Sequence, residues 1–251
     1  MAKINIYQYG NLYKIVWDKL GGITSKNDDD IYIIDDAEKV KEDSKIVNSE
    51  KLENNVSRAK NKILEYALCN EWQYFFTLTI DRKKQDRYNL DSYIRALGDW
   101  ISNYNKKYGT NLKYLLVPEW HPKNGGWHCH GLFANVNPDS LVINEFGYWD
   151  MPYYKNRFGF ISISPIKNAE KVAFYITKYV QKDINTRNTE MNKHLYYASN
   201  GLSKKVNVLS CNINIEQKYL DCMWQNEYCG IEWVDSIPDF IIDAYNKDFE
   251  K

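Results

Sequence analysis

The chain has 251 residues, of which 44% are hydrophobic and 15% aromatic. This composition can supply a packed core and therefore excludes global disorder. The 33 Lys and Arg are balanced by 33 Asp and Glu, which excludes a protein that coats nucleic acid indiscriminately through a large positive charge. The sequence has no apolar run of about 18 residues and no N-terminal signal segment, so we expect a soluble protein of a bacterial or host cytoplasm with no membrane partner.

The charges are unevenly distributed along the chain. Residues 61–185 carry 16 Lys or Arg and 12 Asp or Glu, whereas both flanking regions are slightly acidic. We therefore expect three regions: an N-terminal accessory region of strands and acidic loops over 1–60, a core over 61–185, and a C-terminal accessory region over 186–251. Contacts with phosphates would be local to the core.

The first elements are predicted from apolar periodicity and turn residues. Residues 4–9 and 12–17 favour two strands around Gly10, which is typical of a hairpin. A helix is expected from about residue 57 to 69, followed by a buried aromatic strand at 74–80. The pattern of period 3.6 is clearest from about residue 91 to 108, where we expect a helix that ends at Gly109.

Two further strands contain most of the histidines. Residues 113–121 and 127–136 read as strands, and Asn124-Gly125 between them indicates a two-residue type I′ turn. Because side chains alternate across a strand, His128 and His130 share one face. Cross-strand pairing then decides which other side chains join them.

A candidate metal site follows from that pairing. With a two-residue turn, His121 lies opposite His128 and Glu119 lies opposite His130, so the four side chains converge. A slip of two residues would preserve this facing, whereas a bulge would not. Imidazole and carboxylate ligands without thiolate suit Mn²⁺ or another divalent ion better than a structural zinc. The alternative is an exposed polar hairpin with fortuitous histidines.

A strand at residues 160–164 leads into a helix that Asn168 can cap and that carries a tandem Tyr-x-x-Lys repeat. Tyr175 and Tyr179 lie about 40° apart on this helix. The lysines on the same side are Lys171, Lys178 and Lys182. The adjoining apolar stripe consists of Val172, Ile176 and Val180. Phenols beside ammonium groups suit attack on a phosphate, while the alternative is an amphipathic helix whose tyrosines border the core.

In chain order, these motifs resemble the three-motif layout of the HUH endonucleases, the rolling-circle replication initiators. The motifs are Phe76-Thr-Leu-Thr79, the strand of Glu119 turning into His128-Cys-His130, and the tandem from Tyr175 to Lys182. The two tyrosines are most similar to the two-tyrosine branch, typified by the gene A initiators of microvirus phages. The resemblance covers residues of about 74–183. It implies an α+β fold, a ferredoxin-like or RRM-like HUH core with a central antiparallel sheet, helices packed behind it, and extensions at both ends.

The resemblance also implies a metal centre. His128 and His130 correspond to the metal-binding pair, and Glu119 matches the third ligand, although His121 is an alternative to it. The ion would be Mg²⁺ or Mn²⁺. The Phe76–Thr79 strand corresponds to the first motif, whose role is mostly structural or DNA-contacting.

The activity implied by the resemblance is nicking and rejoining of DNA. Tyr175 and Tyr179 match the nucleophiles, and Lys178 and Lys182 match the lysines of the third motif. We expect a metal-dependent, sequence-specific reaction on single-stranded origin DNA through a 5′-phosphotyrosine intermediate, which initiates rolling-circle replication of a phage or plasmid with a partner helicase and polymerase. The alternatives are a transposase or relaxase of the same superfamily and a nonenzymatic, metal-stabilised nucleic-acid-binding regulator.

Overall fold

The computed structural model describes residues 2–18, 46–121, 125–186, 194–214, 219, 224–225 and 229–249. The chain divides into two compact units. The terminal unit consists of Met1–Ile31 and Ser203–Lys251, and the central unit of Tyr32–Leu202. Both units combine helices with antiparallel strands, which confirms the α+β class.

The central unit is built on a five-stranded sheet with helices around it. Its helices are α1 (Ile46–Leu68), α2 (Leu90–Tyr108), α3 (Pro152–Lys155) and α4 (Ala169–Thr186). Its strands are β3 (Tyr74–Thr79), β4 (Lys113–Trp120), β5 (Trp127–Ala134), β6 (Val142–Ile143), β7 (Trp149–Asp150), β8 (Ile161–Pro165) and β9 (Tyr197–Ala198). The strand order is β8-β3-β5-β4-β9, and every neighbouring pair is antiparallel, while β6 and β7 form a separate hairpin.

The terminal unit joins the two ends of the sequence in one sheet. Its strands are β1 (Ala2–Tyr9), β2 (Leu12–Asp18), β10 (Val206–Ile213), β11 (Trp224–Gln225) and β12 (Cys229–Val234), in the order β10-β1-β2-β12-β11. The predicted hairpin of β1 and β2 is confirmed. Helix α5 (Asp239–Phe249) buries Ile241 and Ala244 against the isoleucines of this sheet. The two flanking segments, which the sequence presents separately, therefore pair with each other.

The limits of the helices follow from their end residues. Asn89 caps α2 by accepting a hydrogen bond from the Ser92 amide, and Gly109 ends it at φ 62° in the left-handed region, as predicted. Helix α1 begins at Ile46 rather than near residue 57. No Gly or Pro interrupts residues 46–56, so nothing in the sequence stops the helix there. In the described part of the chain, no helix has both the length and the apolar character needed to cross a membrane.

Helices cover both faces of the central sheet. Helix α2 packs Tyr93, Leu97 and Trp100 against the face that carries Phe76 and Cys129. Helix α4 lies against β4 and β5 on the opposite face, and α1 lies against α4 and β4. The sheet needs both layers because the strands alternate apolar residues to both sides, including the buried Leu115, Val117 and Leu132 on the α4 side.

Candidate active site

The polar side chains of the first two motifs meet on the α4 face of the central sheet. In the β3–β5 ladder Thr77 is paired with His130 and Thr79 with His128. In the β4–β5 ladder Glu119 is paired with His128. Because directly paired residues share a face, these five side chains lie on one surface, half-buried or buried under α4.

The observed register differs from the expected one by two residues. Glu119, not His121, lies opposite His128, and the His121 amide donates to the Gly126 carbonyl. The connection between His121 and Gly126 is longer than a two-residue turn, and this extra length moves the pairing. Since the shift is even, it preserves which side chains share a face. The Asn124-Gly125 turn includes Asn124, which lies outside the described residues.

Cys129 occupies the opposite face, as strand alternation predicts. It belongs to the apolar cluster beneath α2 and is fully buried. Burial raises the pKa of its thiol to about 12, so the thiol stays protonated. The Cys129 side chain therefore does not contribute to the histidine surface.

His130 is held on three sides. Its Nε2 lies 2.7 Å from Oε2 of Glu119, and its Nδ1 lies 3.2 Å from Oγ1 of Thr77. The ring of Tyr179 stacks on the imidazole with centroids 3.7 Å apart and planes inclined by 15°. His130 and the Glu119 carboxylate are thus positioned by hydrogen bonds and by a ring contact, which leaves the pair little rotational freedom.

His128 is oriented in the same way by the second threonine. Its Nδ1 lies 3.1 Å from Oγ1 of Thr79, and its ring centroid is 5.4 Å from that of His121. Burial, and then the neighbouring His121 and Arg87, lower the pKa of His128, while Glu119 raises it. The net effect is a lowered pKa, so His128 is neutral at pH 7 and keeps a lone pair to offer a ligand.

The two threonines are functional candidates that the sequence interpretation did not single out. Thr77 and Thr79 have the same i, i+2 spacing as the two histidines, so one strand can present a hydroxyl to each imidazole. A threonine hydroxyl can donate or accept and therefore serves either histidine tautomer. The matching spacing of Thr-x-Thr and His-x-His is the sequence signal, but it has meaning only once the two strands are known to be neighbours.

The residues match a metal site in type more fully than in arrangement. In the described part of the chain, no group of three or more His, Cys, Asp or Glu side chains is arranged to hold an ion as it stands. Glu119 and His130 are in direct contact, whereas His121 and His128 contact each other. The hydroxyl bonds to both Nδ1 atoms leave the Nε2 atoms as the available ligand atoms, a usual arrangement around ligating histidines. The donor set therefore fits a divalent cation, and the ion stays a prediction.

The two tyrosines of α4 differ in exposure. Tyr175 is 48% exposed, whereas Tyr179 is 6% exposed, because its ring turns toward the sheet and stacks on His130. The Tyr179 hydroxyl donates to the Tyr175 hydroxyl oxygen at 2.6 Å. Burial raises the pKa of Tyr179, and the bond to Tyr175 and the charge of Glu119 raise it further. The interpretation of two phenols on a free face is thus replaced by one accessible phenol and one buried donor.

The remaining features of α4 agree with its predicted pattern. Asn168 accepts a hydrogen bond from the Lys171 amide, and Ile176 and Val180 are buried. Lys178 is exposed. Lys182 lies in the helix, but its side chain is outside the described residues.

Residues 73–184 match the model of a protein family described as replication-associated protein ORF2. The match covers less than half of the chain and lies within the central unit. It includes the paired threonines, the histidines and both tyrosines. No curated protein and no solved structure gives a significant match. The match supports similarity to a family of rolling-circle replication initiators and hence a role in DNA replication.

Proposed function

We propose that the chain is a metal-dependent enzyme that nicks and rejoins single-stranded DNA at a specific sequence through a 5′-phosphotyrosine intermediate, and so initiates rolling-circle replication of a phage or plasmid. The observation that carries the proposal is the pair of tyrosine hydroxyls 2.6 Å apart, above a histidine that is bonded to a carboxylate. The match to a replication-associated family supports it.

The fold supports an HUH core of the ferredoxin-like type. The elements β3, α2, β4, β5, α3 and β8 follow one another as strand, helix, strand, strand, helix, strand. The four strands stand in the sheet as β8-β3-β5-β4, with the first and third strands of this set at the centre. That succession is the one found in ferredoxin-like folds. The core would hold the histidines on its central strand and the tyrosines on the helix after the last strand.

Tyr175 is the first nucleophile in this proposal because it combines access with a hydrogen-bond donor. A phenol is a weak nucleophile near pH 7, and attack requires negative charge on its oxygen. The hydroxyl of Tyr179 points its proton at that oxygen and stabilises the charge as it develops. The exposed Lys178 adds positive charge on the same helix.

The reaction balances as a displacement at phosphorus. The Tyr175 oxygen forms a bond to phosphorus, and the bond from phosphorus to the 3′ oxygen breaks. The phenol proton passes to solvent, to which Tyr175 is open, and the departing 3′ oxygen takes up a proton to become a free 3′-OH. Because the phosphotyrosine keeps the energy of the phosphodiester, the reverse attack can rejoin the strand without ATP.

Tyr179 is held in reserve by its surroundings. In the free protein its phenol is protonated and packed against His130, so it acts as a donor. Once Tyr175 is bonded to DNA, it no longer presents a phenolate for Tyr179 to stabilise. Tyr179 would then attack the newly copied origin, which allows repeated transfer.

Glu119 and His130 would hold the ion, with His128 or His121 completing the set. When bound, a divalent ion such as Mg²⁺ or Mn²⁺ supplies Lewis-acid polarisation of the scissile phosphate. Thr77 and Thr79 keep both imidazoles oriented by accepting from Nδ1–H, which reserves Nε2 for ligation. Lys182 remains the proposed second lysine of the motif, and a helicase and a polymerase remain the proposed partners.

The test is formation of a covalent protein–DNA adduct. Labelled single-stranded oligonucleotides that tile the protein's own replicon are incubated with the purified chain, with and without Mn²⁺, and run on a denaturing gel. We expect an SDS-resistant adduct with the wild type, loss of nearly all initial adduct in Tyr175→Phe, and none in the double variant with Tyr179→Phe. Tyr148→Phe is the matched control, because Tyr148 is an exposed tyrosine outside the site.

Three outcomes would contradict the proposal. An adduct that persists in the double variant would remove both tyrosines as nucleophiles. An adduct of equal yield in EDTA would remove the metal requirement. Specific binding of an oligonucleotide with no adduct anywhere in the replicon would favour the nonenzymatic regulator.

A further inference from the structure

Phe160 lies at the edge of the histidine surface. The Thr79 amide donates to the Phe160 carbonyl at 2.9 Å, and Thr77 is paired with Ser162 in the β3–β8 ladder. Paired residues share a face, so Phe160 and Ser162 lie on the same side of the sheet as the two threonines. Strand β8 is the edge strand, which places Phe160 one strand away from Thr79 and two strands away from His128.

This edge of the α4 face is open. Phe160 is 59% exposed, and Ser162 and Ser164 are exposed along the same strand. The residues between them, Ile161 and Ile163, are buried on the other face under α2. Burial of these two isoleucines accounts for the folding of β8, and the exposed ring of Phe160 contributes little to it. An aromatic ring beside a polar strip is suited to a ligand with a flat apolar surface and a polar backbone.

A basic turn is fixed beside the ring. The Asp81 amide donates to the Phe158 carbonyl at 2.7 Å, so the turn after β3 is attached to the segment before β8. Gly159 makes this close approach possible: its φ is +134°, and a Cβ there would lie 2.7 Å from the Asp81 nitrogen. The turn continues as Arg82, Lys83 and Lys84, all exposed. Lys84 donates to the Lys155 carbonyl at 2.6 Å, which holds the end of the turn in place.

We infer that Phe160 is a base-stacking platform for single-stranded DNA beside the scissile phosphate, with Arg82 and Lys83 contacting the neighbouring backbone phosphates. The inference rests on the proposed function for its placement, because the ring lies on the strand next to the threonines that orient the histidines. An exposed aromatic side chain combined with a cationic track is the arrangement by which proteins bind single strands. Positive charge on the turn favours a polyanion over an apolar peptide.

The platform would hold a nucleotide without reading its sequence. Stacking is available to every base because each has a π-face. The hydroxyls of Ser162 and Ser164 line the same strip and can bond to sugar or phosphate oxygens. Its contribution is therefore to bring the strand across the site, while sequence selection would come from other contacts.

The test measures binding of a fluorescein-labelled DNA oligonucleotide of mixed sequence and roughly 20 nucleotides by fluorescence anisotropy. The full-length chain is used in EDTA, so that neither metal nor cleavage is required. We expect Phe160→Ala and Phe160→Leu to weaken binding about 5- to 100-fold, and Phe160→Trp to bind within about threefold of the wild type. Leucine keeps apolar area but has no ring, so it separates stacking from general hydrophobic contact. Circular dichroism and a thermal melt confirm that each variant is folded.

Phe146→Ala is the matched control, since Phe146 is 74% exposed on the β6–β7 hairpin. We expect no change in its affinity. Wild-type binding by Phe160→Leu, or an equal loss in Phe146→Ala, would overturn the platform. Tighter binding of an RNA oligonucleotide of the same sequence would overturn DNA as the occupant.

The two proposals can fail separately. The adduct assay with Mn²⁺ is run on the same variants. If adduct forms normally in wild type and Phe160→Ala, and the affinities are equal, the platform is wrong and nicking stands. If no variant forms an adduct but the ring-dependent affinities hold, nicking is wrong and the platform stands.

Discussion

The central sheet carries a pair of hydrogen-bonded tyrosines on each of its faces. On the α2 face the hydroxyls of Tyr93 and Tyr154 are 2.8 Å apart, and both residues are fully buried. On the α4 face the hydroxyls of Tyr179 and Tyr175 are 2.6 Å apart, and Tyr175 is about half exposed. The two pairs have the same chemistry and differ in their access to solvent.

That difference separates a structural pair from a reactive one. Burial raises the pKa of both Tyr93 and Tyr154, so each keeps its proton and satisfies the other inside the core. On the α4 face only Tyr179 is enclosed, so it is the fixed donor, while Tyr175 remains accessible to a substrate. A closed face yields stability, and a face that is closed on one side only can support chemistry.

The largest expected effect comes from exchanging isosteric changes between the two faces. Glu119→Gln should lower the rate of adduct formation by about 100-fold or more, because it removes the carboxylate charge that the ion and His130 require. It should leave the melting temperature within a few degrees of wild type. Tyr154→Phe should do the opposite, with a normal rate and about 1–2 kcal/mol less stability, since Tyr93 loses its buried partner. Adduct kinetics and urea denaturation measure both quantities, and a large loss of activity in Tyr154→Phe would break the comparison.

A smaller effect is expected from the threonines that orient the histidines. Thr77→Val and Thr79→Val keep the shape of the side chain and remove the hydroxyl, so we expect each to weaken Mn²⁺ activation of adduct formation about 10- to 100-fold. The readout is the Mn²⁺ concentration for half-maximal rate. Thr177→Val on α4 is the control, because the Thr177 hydroxyl only donates to the Phe174 carbonyl. Unchanged Mn²⁺ dependence in both variants would assign the threonines a purely structural role.

The smallest effect is a pH dependence that belongs to the closed face. Because the folded-state pKa values of Tyr93 and Tyr154 are raised, their contribution to stability is complete below the unfolded pKa of about 10 and is lost as pH rises toward the folded values. Each group should therefore lower stability by about 1.4 kcal/mol per pH unit above about pH 10. Tyr154→Phe removes one group, so its stability should fall less steeply there. Equal slopes in urea denaturation at several alkaline pH values would contradict this account.

Several features of the fold were predictable because they depend on local rules. The period of the apolar residues, Asn89 and Gly109 define α2, and Asn168 defines the start of α4. The placement of His128 and His130 on one face required only strand alternation. That rule is insensitive to an even shift in register, so the grouping with Glu119 survived a turn of unexpected length.

Other features depended on which elements became neighbours in space. The sequence by itself determined the motifs, their order, the α+β class and the shared face of the histidines, because these follow from spacing along the backbone. Only the tertiary structure decided that Thr77 and Thr79 meet the histidines, that Tyr179 is buried while Tyr175 is open, and that Phe160 borders the site. Helical spacing places the two tyrosines on one side, but the sheet against which α4 packs determines which of them it covers. The joining of β1 with β10 likewise depends on long-range pairing between segments about 200 residues apart, which no local pattern encodes.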